Sequence, residues 1–199
     1  MFIQIIQGKC SRPEELQALA ERWRNELAPG ATGWLGGTYG FTDDDMFVGV
    51  VRFESREAAM ANSERPEQGE WAGHMMALMD GPVEFHDCDD VTLMFDGGSD
   101  RAGFVQVIRG KVTEPDRLKA LMSDTDMLHE ARPDILGATL AIEADGTFTE
   151  TIAFTSEDEA RAGEKKEMPG MPAEVRDTME MAMKDATFYD LHHPWFESR

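Results

Sequence analysis

One short stretch of the sequence concentrates side chains that could do chemistry. Residues 61–74 read ANSERPEQGEWAGH and contain Asn62, Arg65, Trp71 and His74. Histidine is the usual proton acceptor near neutral pH, and the arginine fork binds anionic or phenolate oxygens. Trp71 and His74 are three residues apart and would share one face of a helix. The stretch is therefore a candidate functional site, with His74 and Arg65 as catalytic candidates.

The same residues also fit purely structural roles. Trp71 fits a hydrophobic core, and His74 fits a partly exposed position on a helix. Arg65 stands between Glu64 and Glu67 and could pair with either at the surface. Both interpretations stay open from the sequence alone.

Further polar candidates lie on predicted strands. Gln4 and Gln106 occupy the same position in two mostly apolar segments. A buried amide must be hydrogen-bonded, so each glutamine is either a structural partner or a polar group of a pocket. Tyr39, on the first predicted hairpin, is a candidate phenol. Together with Asn62 and Trp71, these three residues are the predicted ligand-binding set.

Metal binding is not predicted. His86, Cys88 and Asp90 alternate along one predicted strand and would face the same way. A strand places such residues about 7 Å apart, which is too far for one ion unless other elements contribute. The sequence contains no G-x-S-x-G, P-loop, G-x-G-x-x-G or H-E-x-x-H motif. The common hydrolases, nucleotide-binding enzymes and zinc proteases are therefore not indicated.

Composition limits the class of partner. The 199 residues carry a net charge of −20, which disfavours nucleic acid and anionic membranes as partners. The two cysteines form no CxxC motif, and the N-terminal segment lacks the basic region of a signal peptide. No apolar run approaches the length of a membrane span. These features predict a soluble cytoplasmic protein with no nucleic-acid or membrane partner.

The chain contains an internal repeat. Phe2–Cys10 reads FIQIIQGKC, and Phe104–Val112 reads FVQVIRGKV. Further matches follow in the same order along both halves. The period is far longer than that of solenoid repeats, so each copy should be a small domain. The prediction is a first domain over residues 1–96, a Gly-rich linker over 97–103 and a second domain over 104–199.

Each copy has the pattern β-α-β-β-α-β, with the second helical region broken at a proline. One last strand, residues 83–95 or 186–196, is predicted to close each unit. Such a ferredoxin-like unit has both helices on one face of an antiparallel sheet and leaves the other face open. The first strand is apolar on both faces, as an open face that packs against another sheet requires. We therefore predict an α+β protein with two units packed sheet to sheet.

This order of elements resembles the dimeric α+β barrel superfamily, in particular the antibiotic-biosynthesis-monooxygenase-like (ABM-like) domains. The resemblance rests also on the first strand ending in Gly-Lys and on the segment RFESREAA, residues 52–59, before a broken second helix. In that family two domains pair sheet to sheet. The duplication then implies a pseudo-dimeric barrel within one chain, and further homodimer formation stays open.

The resemblance implies several functions. The first is a cofactor-independent monooxygenase acting on an apolar or aromatic small molecule. The alternative is a non-catalytic small-molecule-binding or structural barrel, so whether the chain is an enzyme stays open. A further alternative is haem binding or degradation, because haem-degrading members place a Trp and an iron-binding His on the second helix. Those members carry an Asn on the first strand, where this chain has Gln4. We expect no cofactor. If there is one active pocket, it should lie in the first copy, because Trp71 and His74 have no counterparts in the second; whether one or both pockets are open stays undecided from the sequence.

Overall fold

A computed structural model describes residues 1–123, 130–166 and 173–198 of the protein. Two compact units make up the chain. The first comprises Met1–Asp89 together with a C-terminal strand that begins at Trp195, and the second comprises Asp90–Pro194. Each unit contains one sheet of five strands.

The elements follow one another in the predicted β-α-β-β-α-β order. In the first copy they are β1 (Phe2–Lys9), α1 (Pro13–Glu26), β2 (Trp34–Phe41), β3 (Met46–Phe53), α2 (Arg56–Ser63), α3 (Pro66–Leu78) and β4 (Glu84–Cys88). The strand β5 (Asp90–Met94) comes next. In the second copy the elements are β6 (Phe104–Lys111), α4 (Pro115–Ser123), β7 (Ile135–Ile142), β8 (Thr147–Phe154), α5 (Glu157–Glu164), α6 (Ala173–Met183) and β9 (Thr187–Leu191). The strand β10 (Trp195–Ser198) follows.

Both sheets are antiparallel and have corresponding strand orders. The first sheet is ordered β10-β2-β3-β1-β4, and the second is ordered β5-β7-β8-β6-β9. The predicted α+β class, with two β-α-β-β-α-β units, is confirmed. The sheet-to-sheet packing of the two units stays a prediction.

The prediction of one closing strand per copy is wrong, because each predicted strand is two strands that pair in different sheets. β4 pairs with β1 of the first sheet, whereas β5 pairs with β7 of the second. β9 pairs with β6, whereas β10 pairs with β2 of the first sheet. Each sheet thus receives one of its two edge strands from the segment that follows the other copy. For the first sheet this strand is β10, and for the second it is β5. The boundary between the units falls at Asp89–Asp90, and the predicted linker, residues 97–103, forms no helix or strand.

Local sequence explains the helix limits around the candidate site. Ser55 caps α2, because its hydroxyl accepts a hydrogen bond from the Ala58 amide at 3.2 Å. Pro66 is the first residue of α3, where a missing N–H is tolerated, and it separates α3 from α2 as predicted. The break lets the two helices take different directions over the first sheet.

The helices of the first unit bury an aromatic core on one face of their sheet. Phe2 and Phe53 of the strands pack with Trp23 of α1 in one cluster. Ile6 and Phe47 pack with Leu16 and Met75 in a second cluster. The candidate site lies between these two clusters.

Candidate functional site

The first unit contains a cavity of about 80 Å³ between its sheet and helices α1, α2 and α3. Its walls are mainly apolar and aromatic. The large side chains that line it are Trp23, Tyr39, Phe47, Phe53, Trp71 and Met75. The polar side chains that line it are Gln4, Asn62, Ser63, Gln68 and Glu197.

Two tryptophans form the helix side of the cavity. The rings of Trp23 and Trp71 meet edge to face, with their centroids 6.3 Å apart. The Trp23 indole N–H donates to Gln68 Oε1 at 2.6 Å, and the Trp71 indole N–H donates to the Leu19 carbonyl at 3.0 Å. Because both N–H groups have partners within the protein, the indoles contribute apolar surface to the cavity.

Tyr39 lies flat along the sheet because two glycines leave room for it. A Cβ atom on Gly37 would collide with the Tyr39 hydroxyl, and one on Gly49 would lie 3.1 Å from its ring. The ring stacks on Trp195, with ring centroids 5.6 Å apart. It also lies nearly parallel to the Phe47 ring, with centroids 6.4 Å apart. The glycines and aromatic neighbours therefore fix the phenol at the cavity wall.

Glu197 is the carboxylate beside this phenol. It lies on β10 directly opposite Gly37, over which the Tyr39 hydroxyl lies, and it is only 8% exposed. Burial and the negative charge of Glu197 raise the pKa of Tyr39, so the phenol stays protonated and can donate a hydrogen bond. Burial also raises the pKa of Glu197, against the opposing effect of Arg24, whose Nε lies 2.7 Å from its Oε2.

Asn62 and Arg65 form a linked pair at the helix break. Asn62 is 6% exposed, and its Oδ1 accepts from Arg65 Nη1 at 2.9 Å. Arg65 also donates to the Leu27 carbonyl at 3.1 Å and pairs with Glu67 at 2.9 Å. Arg65 does not line the cavity and instead holds Asn62 there. Since Oδ1 is occupied, Nδ2 is the part of Asn62 that can donate to a ligand.

The two glutamines make equivalent hydrogen bonds. Gln4 Nε2 donates to Asp87 Oδ1 at 2.9 Å, and Gln106 Nε2 donates to Asp190 Oδ1 at 2.8 Å. Each pair joins neighbouring strands of one sheet, which is a structural role. Gln4 also lines the cavity, whereas Gln106 belongs to the second unit and does not.

His74 is exposed on α3 and does not line the cavity. Trp71 and Met75, four residues apart, form the face of α3 that does. These residues do not fit a haem group, because His74, the candidate iron ligand, lies outside the cavity. The structure thus brings together Gln4, Tyr39, Asn62 and Trp71, and leaves His74 apart from them.

Glu197 and Gln68 are cavity residues that the sequence did not indicate. Glu197 follows the second copy in the chain and reaches the first unit only through the pairing of β10 with β2. Trp195 and Glu197 alternate in this strand, so they lie on one face. That alternation indicates from the sequence that Trp195 and Glu197 face the same way. The sequence does not indicate which sheet the strand joins.

No metal site or membrane span is found in residues 1–123, 130–166 and 173–198. No three His, Cys, Asp or Glu side chains in these ranges lie close enough together to hold an ion. Cys88 and Asp90 belong to strands of different sheets. None of the helices in these ranges combines the length and apolar character needed to cross a membrane.

Comparison with known proteins identifies the fold. No family model and no curated protein matches the chain. Among solved structures, a protein of Fusobacterium nucleatum subsp. nucleatum, named a candidate monooxygenase, aligns with a TM-score of 0.75 and 11% identity over 100% of this chain and 94% of its own. The chain shares its fold. The predicted fold of two repeated α+β units is thereby confirmed.

Two further structures align over nearly the whole chain. A candidate monooxygenase of Lactobacillus acidophilus NCFM gives a TM-score of 0.72 and 12% identity, over 96% of this chain and 92% of its own. A protein named anthrone oxidase-like gives a TM-score of 0.64 and 13% identity, over 97% of this chain and 92% of its own. The alignments span both copies, so these neighbours have the duplicated architecture.

Proposed function

We propose that the first unit binds an apolar aromatic small molecule and oxidises it as a cofactor-independent monooxygenase. The observation that carries the proposal is the aromatic cavity with the Tyr39 phenol and the Glu197 carboxylate side by side at its wall. The names of the structural neighbours, two candidate monooxygenases and an anthrone oxidase-like protein, support this reaction class.

The cavity groups suit the activation of a phenol or anthrone. The Tyr39 hydroxyl and the Asn62 amide donate hydrogen bonds to the substrate oxygen and stabilise the negative charge that develops on it. Glu197 accepts the proton that the substrate releases, and its raised pKa makes it a better base near neutral pH. The aromatic walls exclude water from the anion.

The resulting reaction balances with molecular oxygen as the oxidant. The carbanion of an anthrone attacks O₂ at its CH₂ carbon. One oxygen atom becomes the new ketone, and the other leaves as water with the two hydrogens of the CH₂ group. The anthrone is thus oxidised to an anthraquinone while O₂ is reduced.

Oxygen uptake with anthrone as the probe, measured in the presence of a chelator, tests the proposal. Tyr39→Phe and Glu197→Gln should each lower kcat by about 100-fold, because each removes a hydrogen-bond donor or the base. Glu70→Gln, an exposed position of α3 outside the cavity, is the matched control. Uptake no faster than in buffer, or equal rates in all variants, would contradict the proposal.

His74→Ala tests the prediction made from the sequence. Because His74 is exposed and outside the cavity, we expect its removal to leave kcat unchanged. A loss of activity as large as that of Glu197→Gln would return His74 to the catalytic role.

The second candidate is a barrel that binds a ligand without turnover. It is favoured by the hydrogen bonds that Gln4, Arg65 and Trp71 make within the protein, as structural residues do. Binding of a phenol without oxygen uptake would select this candidate. A cytoplasmic location and the domain limits 1–96 and 104–199 remain proposals from the sequence.

A further inference from the structure

A second, larger space opens next to the aromatic cavity. This outer cleft measures about 310 Å³ and is lined by Glu21, Arg24 and Asn25 of α1 and by Phe196 and Glu197 of β10. It differs from the inner cavity in character, because most of its named side chains are charged or polar. The first unit thus has an apolar space and a polar space side by side.

Glu197 lines both spaces. Its side chain is 10% exposed, and it pairs with Arg24, whose side chain is 52% exposed, at 2.7 Å. The Arg24–Glu197 ion pair therefore stands at the boundary between the inner cavity and the outer cleft.

The inner cavity alone is small for a substituted aromatic ligand. An engineered apolar cavity of about 150 Å³ is known to bind benzene, so the inner cavity of about 80 Å³ does not enclose a substituted ring without movement of its walls. Ligand pockets typically measure about 300–1,000 Å³. The inner cavity reaches that range only together with the outer cleft.

The polar groups of the cleft define what part of a ligand it suits. Arg24 and Asn25 offer N–H donors, whereas Glu21 and Glu197 offer carboxylate acceptors. An anionic group would face two carboxylates against one arginine, and an apolar group would make no hydrogen bond to Glu21 or Asn25 beside the Arg24–Glu197 pair. A group with several hydroxyls both donates to the carboxylates and accepts from Arg24 and Asn25.

We propose that the substrate is an aromatic compound with a hydroxyl-rich substituent, such as a glycoside. Its ring occupies the inner cavity, and its hydroxyl groups occupy the outer cleft. This inference rests on the proposed function only in taking the inner cavity as the site of the aromatic ring.

Calorimetric titration with three probes tests the inference. The probes are phenol, phenyl β-D-glucopyranoside and phenyl phosphate, which share a ring and differ in its substituent. We expect the glucoside to bind at least about tenfold tighter than phenol, because its hydroxyl groups add hydrogen bonds that phenol cannot make in the cleft. Phenyl phosphate should bind no tighter than phenol.

Variants of the cleft give the decisive comparison. The double variant Glu21→Ala with Asn25→Ala removes two exposed cleft side chains and leaves the Arg24–Glu197 pair in place. It should lose most of the glucoside advantage and keep the phenol affinity of the unaltered protein. Arg22→Ala, on the same helix but outside the cleft, is the control and should keep the advantage.

The outcomes separate this inference from the proposed function. Phenol binding without a glucoside advantage, or an advantage that survives in the double variant, overturns the inference and leaves the proposed function standing. Tighter binding of phenyl phosphate than of the glucoside also overturns it. A cleft-dependent glucoside advantage without oxygen uptake from anthrone upholds the inference and overturns the monooxygenase.

Discussion

At the scale of single residues, the position of the Tyr39 ring depends on neighbouring residues that have no side chain. Gly37 and Gly49 have no side chains, and the ring of Tyr39 occupies the space above them. The sequence suggested Tyr39 as a candidate phenol from its place on the first hairpin. It could not show that the ring lies along the strand, because that depends on the two glycines and on Trp195 from the far end of the chain.

Substituting Gly37 tests this arrangement. Gly37→Ala should displace the Tyr39 hydroxyl, lower the stability by about 1–3 kcal/mol through overpacking, and reduce substrate turnover. Urea unfolding and kcat measure the two effects.

Gly73 provides the matched control for Gly37→Ala. A Cβ atom there meets nothing within 4 Å, and the residue lies inside α3. Gly73→Ala should therefore raise stability by about 0.5–1 kcal/mol and leave turnover unchanged. Equal effects of the two substitutions would show that Tyr39 does not depend on the space above Gly37.

Glu150 occupies in the second unit the strand position that Gly49 has in the first. It is 4% exposed, and its neighbours across the sheet are Leu140 and Ile108. Burial among apolar neighbours raises the pKa of this carboxyl to about 7. The exchange of a glycine for a buried acid is one physical reason to expect the two units to behave differently.

Glu150→Gln should stabilise the protein at high pH only. The folded pKa of Glu150 lies above its unfolded value, so ionisation opposes folding. This cost is absent below the unfolded pKa near 4.5, grows as the pH rises towards 7, and stays constant above it, at about 3 kcal/mol.

Thermal unfolding at pH 4 and pH 8 measures the effect of Glu150→Gln. The variant should unfold at a higher temperature than the unaltered protein at pH 8 and at a similar temperature at pH 4. Glu180→Gln, an exposed acid of α6, should show no such difference. A gain of equal size at both pH values would contradict the buried ionisation.

At the scale of elements, the two copies build the same polar network from different positions. In the first, Arg56 pairs with Asp87, the partner of Gln4, and its guanidinium lies 4.9 Å from the centre of the Phe2 ring. In the second, Arg161 pairs with Asp190, the partner of Gln106, and lies 5.2 Å from the centre of the Phe104 ring. Arg56 begins its helix, whereas Arg161 lies inside the equivalent helix, so alignment of the repeats alone does not match them.

Local elements were predictable, and their pairing was not. Each local feature depends on only a few neighbouring residues. This holds for the alternation and turn residues of β2 and β3, the Ser55 cap and the break before Pro66. The sheet that β5 or β10 joins depends on which sheet edge is free, and this is a tertiary property. Local sequence therefore does not show whether either strand pairs within its own copy. The split of each closing strand was therefore missed, and Glu197 with it.

Anchoring of β10 gives a prediction at this scale. Trp195 packs against Tyr39, Phe41 and Phe47, with ring centroids 5.6, 5.9 and 6.2 Å away. Trp195→Ala should cost about 3 kcal/mol of unfolding free energy and release Glu197 from the cavity. Denaturant unfolding and oxygen uptake report the two losses.

Trp195→Phe separates anchoring from simple destabilisation. The phenylalanine ring keeps an aromatic surface against the same three neighbours, so we expect a smaller loss of stability and most of the turnover to remain. If the alanine and phenylalanine variants lost turnover equally, the stacking of Trp195 would not be what holds β10 at the site.

At the scale of the whole molecule, duplication accounts for the fold and asymmetry for the site. Both copies have the same strand order, but the aromatic cavity described above uses Tyr39, Asn62 and Trp71, which the second copy does not repeat. From the sequence, the lack of a counterpart for Trp71 already suggested that a single active pocket would lie in the first copy, which stays a prediction. The prediction that Trp71 and His74 share a site came from their helical spacing. Such spacing does not show which edge of the helix face is buried and which is exposed.

Oxygen-isotope labelling tests the central claim most directly. Anthrone is incubated under ¹⁸O₂ with a chelator and either the unaltered protein or Glu197→Gln, and the anthraquinone is analysed by mass spectrometry. We expect one ¹⁸O atom per anthraquinone. The unaltered protein should form it well above the rate without protein, and Glu197→Gln should form it near that background rate. Anthraquinone formed no faster than the background, or without the label, would contradict the claim.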